Sequence, residues 1–146
     1  DEFRLRCIKA HFLPPALIKV GSWLGEQGLA NAMIDVSDGL ASDLFRIASE
    51  SNLEAEVEVG SLVLPERGVG KLEPLQAAIN GGEDYALLFT ASKQQLEGLR
   101  STYPDEFPAY QVIGRAYDGR PAVYLKHRGG RSEYKADGFD HFKGGR

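Results

Sequence analysis

The chain has 146 residues with a formal net charge of −4, 42% hydrophobic and 26% charged residues, and one cysteine. That length suits one domain with a real core, and the composition gives no support to a disordered, collagen-like or membrane-spanning chain. No run approaches the roughly 18 apolar residues of a spanning helix, and the scattered lysines and arginines form no basic stripe for nucleic acid.

A lone Cys7 excludes an internal disulfide framework, and the first residues lack the apolar core of a signal peptide, which points to the cytoplasm. Residues 1–14 read as a connector and residues 15–146 as one domain. Pro14 and Pro15 stand ahead of Leu17, Ile18, Val20 and Leu24, and Gly28 follows, so a helix is predicted over 15–27. "NAMIDV" is a short apolar run fitting a buried strand, which breaks into "SDG". From Asp38 onward, Leu40, Leu44, Ile47 and Ala48 recur on one helical face.

"AEVEVGSLVLP" alternates Ala55, Val57 and Val59 against Glu56 and Glu58, a strand with one wet face that Pro65 closes. "GVGKL" reads as loop, "EPLQAAIN" as a short helix ending at Gly81 and Gly82, and "DYALLFTA" as a strand. "SKQQLEGLRSTY" follows as a helix with Ser92 as its N-cap. In the last third, two strand-like runs flank "YDGR", where Asp-Gly signals a hairpin. The predicted class is α+β or mixed α/β, a mixed sheet packed against helices with at least one antiparallel hairpin.

Two segments carry chemistry. "DVSDG" puts Asp35, Ser37 and Asp38 where a strand hands over to a helix, beside a crevice and a helix N-terminus with unpaired N–H groups. One account makes Ser37 or Asp38 the helix cap. The other makes the two carboxylates hard ligands for Mg²⁺, which keeps several waters and bridges to phosphates, with the serine hydroxyl and nearby amides donating to phosphate oxygens. The second segment, "GGEDY", is a glycine turn leading into a strand. Its acids either solvate the turn or meet a ligand with a cationic or hydroxyl group, with Glu83 as the contact.

His11, His127 and His141 show no zinc-ligand spacing. No nucleophile elbow, Walker loop or kinase-type glycine loop occurs. Phosphate chemistry here has to use another framework.

Three segments in order, "AMIDVSDGLASDL", "GGEDYALLFT" and the terminal "GFDHF", resemble the C-terminal domain of the thiamine-monophosphate kinases. These are relatives of aminoimidazole ribonucleotide synthetase and selenophosphate synthetase. The resemblance implies transfer of the γ-phosphoryl group of ATP to thiamine monophosphate, giving thiamine diphosphate and ADP, with Mg²⁺ ions. It implies Asp35 and Asp38 as Mg²⁺ ligands, Ser37 as an ATP contact, and Glu83 and Phe139 as contacts to the thiamine substrate, where an aromatic face and a carboxylate suit a cationic thiazolium. Ala86 stands where the family often has an acid, and Phe139 where tryptophan or tyrosine is frequent. Family enzymes are about twice as long, with an N-terminal domain that completes the metal and nucleotide site and forms a homodimer. The expectation is therefore a separated domain, inactive alone. The alternatives are another ATP-using member of the superfamily, or a non-catalytic ligand-binding or assembly module.

Overall fold

In the computed structural model, residues 2–64 and 73–134 are described, and all structural statements concern those residues. The chain runs through α1 (Glu2–Phe12), α2 (Ile18–Glu26), β1 (Ala32–Asp35), α3 (Leu40–Ser51), β2 (Leu53–Glu58), a single 3₁₀ turn (Val59–Ser61), α4 (Pro74–Asn80), β3 (Leu87–Thr90), α5 (Lys93–Thr102), β4 (Gly114–Asp118), β5 (Ala122–His127) and β6 (Gly130–Tyr134). This is the α+β architecture predicted, with helices set against sheets.

β1 and β3 form a two-stranded antiparallel ribbon in which Asp35 faces Leu87 across the pair. A four-stranded mixed sheet has the order β4-β2-β5-β6, with β2 parallel to β5 and antiparallel to β4. Side chains alternate across a strand, and the ribbon uses that alternation to join two cores. Ala32, Ile34 and Leu88 meet Leu44, Ile47 and Ala48 of α3 and Ala55, Val57 and Val123 of the larger sheet. Met33, Leu87 and Phe89 meet Val20 and Leu24 of α2 and Leu99 of α5. Trp23, Tyr103, Phe107 and Tyr110 close that second core edge to face, with ring centroids 4.8–5.9 Å apart.

Several elements differ from expectation. The stretch read as a connector is helical over Glu2–Phe12, with no buried residue. The prolines do not open α2, which begins at Ile18. Lacking N–H donors and disfavouring helix in the residue before them, they instead separate α1 from α2. "NAMIDV" is only half buried. "DYALLFTA" is strand only over Leu87–Thr90, because Tyr85 just before it lies at φ +50°.

The predicted hairpin around "YDGR" does not form. β4 and β5 lie on opposite sides of β2. Ala55 and Val57 of β2 are nearly fully buried under α3, so burial favours β2 at the centre over a direct β4–β5 pairing. The antiparallel hairpin is β5–β6, with His127 opposite Gly130. The alternation of β2 holds: Ala55 and Val57 face the core, while Glu54, Glu56 and Glu58 lie on the outer face, where the half-exposed Lys126 and Arg131 cover Glu56 at 3.2 and 3.8 Å. Pro65, "GVGKL", His141 and Phe139 lie outside the described residues.

Candidate functional site

β1 ends at Asp35, and the chain then turns through Val36, Ser37 and Asp38 to Gly39 before α3 begins. Val36 is buried in the larger core while Asp35 and Asp38 remain exposed. Apolar burial thus anchors the turn in the middle and leaves a carboxylate on either side of the anchor. Neither Ser37 nor Asp38 caps α3. Gly39 occupies the N-cap at φ +104° without a side-chain bond. A side chain there would strain the backbone and press on Asn80 at 3.0 Å.

The turn is organised by a residue that the sequence reading passed over. Asp43, in the first turn of α3, has no exposed surface. Its Oδ2 accepts the N–H groups of both Ser37 and Asp38, at 2.9 Å each. Its Oδ1 accepts from Arg46 Nη1 at 2.9 Å, and Arg46 Nη2 reaches Asp38 Oδ2. Two amides and a guanidinium compensate the buried carboxylate, as a buried charge requires. The signal available in sequence was an acid early in a helix with an arginine three residues on, a pairing that faces one side.

The second motif docks directly on this turn. Val36 N–H donates to Ala86 O at 2.8 Å, Tyr85 N–H to Val36 O at 2.9 Å, and Glu83 N–H to Ser37 O at 2.9 Å. Gly82 makes the approach possible, since a Cβ there would stand 2.5 Å from Ser37 O. Glu83 and Tyr85 both adopt left-handed backbone, at φ +66° and +50°. Such conformations cost on the order of 1–3 kcal/mol each in ordinary residues and persist where surrounding contacts over-determine them.

Glu83 is exposed, and His11 Nδ1 of α1 lies 3.2 Å from its Oε2. Partial burial raises the pKa of the Asp84 carboxyl above the ordinary aspartate range, although the residue as a whole remains open to solvent. On the far side of Gly39, the Asn80 side chain accepts a hydrogen bond from the Tyr134 hydroxyl at 2.6 Å, which ties the end of β6 to the same corner.

Among the described residues these groups form an exposed rim. A hollow of about 530 Å³ lies at the opposite end of β1, beside Asn31, Thr90, Ser92 and Tyr117. Another, of about 180 Å³, lies between α2 and residues 108–111. Asp35, Asp38 and Glu83 line neither. Among the described residues, no group of three or more His, Cys, Asp or Glu could hold a metal unaided. Two outward carboxylates in one turn are nevertheless the hard oxygen donors that Mg²⁺ takes, with water and phosphate oxygens completing its shell. No described helix is long and apolar enough to cross a membrane.

Fold and site together are those of an α+β domain whose acidic turn is clamped to a strained glycine turn. The model of AIR synthase related protein, C-terminal domain, matches residues 5–126, and the chain belongs to that family. Within its breadth, the chain is 32% identical over 138 residues to thiamine-monophosphate kinase of Buchnera aphidicola subsp. Schizaphis graminum (strain Sg), covering 92% of this chain and 42% of that protein. The crystal structure of thiamine-monophosphate kinase from Stenotrophomonas maltophilia K279a aligns at TM-score 0.70 and 32% identity, over 80% of this chain and 37% of that one. A structure described as AaThiL complexed with AMPPCP and TMP aligns at TM-score 0.67 and 28% identity, over 92% of this chain and 43% of that one. The chain spans about two fifths of the length of the curated relatives it matches.

Proposed function

We propose that this chain is the C-terminal part of a thiamine-monophosphate kinase, which transfers the γ-phosphoryl group of ATP to thiamine monophosphate. The observation that carries this reading is the backbone clamp between the two motifs, Glu83 N–H to Ser37 O with Gly82 in contact. It sets the residues proposed to hold the nucleotide beside the residue proposed to meet the acceptor. Phosphoryl transfer depends mainly on positioning and charge stabilisation, and a rigid connection between the two binding edges supplies positioning. A relative bound to AMPPCP and TMP together supports the same pair of ligands here.

In this reading Asp35 and Asp38 hold Mg²⁺, which neutralises and orients the polyphosphate when bound. The Ser37 hydroxyl donates to a phosphate oxygen. Glu83 faces the cationic thiazolium of the acceptor and exchanges its His11 partner for it. Phe139, outside the described residues, is proposed to stack on the same cation. The open rim accords with a site whose other wall comes from the N-terminal domain of a longer protein that dimerises through that domain.

Asp38→Asn in the full-length enzyme tests the reading. Asp38 is half exposed and its pair with Arg46 is a surface one, worth about 0–1 kcal/mol, so the melting temperature should move little. Turnover should fall by roughly two orders of magnitude or more, the scale of losing a positioned electrostatic group. Full activity in the folded variant would leave Asp38 a purely structural residue.

A further inference from the structure

A single guanidinium joins two carboxylates of very different exposure. Arg46 Nη1 is held by Asp43, which has no exposed surface and is itself held by the Ser37 and Asp38 amides. Arg46 Nη2 engages Asp38 Oδ2. A planar fork with donors at fixed separation can bridge two acceptors in this way, where an ammonium would act as a point charge. Asp43 therefore fixes Arg46, because freeing Arg46 would leave a buried carboxylate short of its cation.

Arg46 in turn fixes one oxygen of Asp38. Asp38 is exposed, and its other oxygen, Oδ1, is the one we infer would meet a cation at the rim. The same three residues set the backbone of the turn and the direction of its carboxylate, so the ligand is oriented before any cation arrives. Partners that hydrogen-bond a ligating carboxylate commonly govern metal affinity about as strongly as a factor of 10–100.

We propose that Arg46, locked by Asp43, is the positioning residue that presents Asp38 to a divalent cation. The inference rests on the reading of Asp38 as a metal ligand. Its test is Mn²⁺ binding to the full-length enzyme with a non-hydrolysable ATP analogue present, read from the electron paramagnetic resonance signal of free Mn²⁺ well below the melting temperature of every variant.

Arg46→Met should weaken Mn²⁺ binding about tenfold or more, and it should also lower the melting temperature by stranding Asp43. The double variant Asp43→Asn with Arg46→Met removes the stranded charge while keeping a carbonyl to accept the two amides. It should regain melting temperature and still bind Mn²⁺ weakly. Affinity that returns with stability would overturn the inference, making Arg46 a counter-ion for Asp43 alone. Tighter binding by Arg46→Met would also overturn it, making Arg46 a competitor of the metal. Asp38→Asn separates the two levels: unchanged Mn²⁺ binding in that variant, or none in the unaltered full-length enzyme with the nucleotide analogue, would remove the metal reading itself.

Discussion

Gly82 shows how little space separates the two motifs. A Cβ at that position would lie 2.5 Å from Ser37 O, against backbone that cannot swing away. Gly82→Ala should cost about 1–3 kcal/mol as overpacking, visible as a lower denaturant midpoint. Turnover in the full-length enzyme should drop further than stability explains, because the shift falls on the contact that sets one edge of the site against the other. An alanine variant with unchanged turnover would separate the clamp from function. Asp35, Ser37, Asp38 and Glu83 were all legible as candidates from residue type and placement. Asp43 and Arg46 were not, because their importance lies in burial and in contacts across a turn that only the folded chain closes.

The elements follow local rules closely where those rules are self-contained. Ser92 accepts from Gln95 N–H, and the Gln95 side chain accepts from Ser92 N–H, a capping box contained within four residues. The same Gln95 side chain donates to Gly28 O and to Asn31, so the start of α5 is also pinned to the entry of β1. Further along α5, Leu99 is fully buried against α2 and the aromatic cluster. Leu99→Ala should destabilise by about 2–5 kcal/mol through lost burial and the cavity left behind, measured by urea unfolding. A loss below 1 kcal/mol would mean that the second core collapses to fill the space. The strand neighbours were less accessible, since "YDGR" has hairpin chemistry yet spans β2 rather than folding back. A turn residue biases a local angle, while the burial of Ala55 and Val57 decides which strand takes the middle.

At the scale of the molecule, two cores share the β1–β3 ribbon, and the acidic rim sits where that ribbon passes into α3. The rim is open, and the chain matches about two fifths of its relatives' length. Mixed with the N-terminal half of a related kinase, the chain should transfer phosphoryl from ATP to thiamine monophosphate. Alone it should give no product above background in a coupled ADP assay. Turnover by the unaccompanied chain would show that one wall suffices.

What the sequence determined by itself is what a few neighbouring residues can encode: the helical faces, the Ser92 cap, the strand alternation, and the oxygen-rich chemistry of "DVSDG" and "GGEDY". The tertiary structure alone decided that β2 parts β4 from β5, that Asp43 rather than a cap shapes the acidic turn, and that Glu83 stands against Ser37. Periodicity and capping are short-range, and each shows in a window of residues. Strand order and the meeting of two turns about 45 positions apart depend on which distant surfaces exclude water best, a competition that no single segment contains.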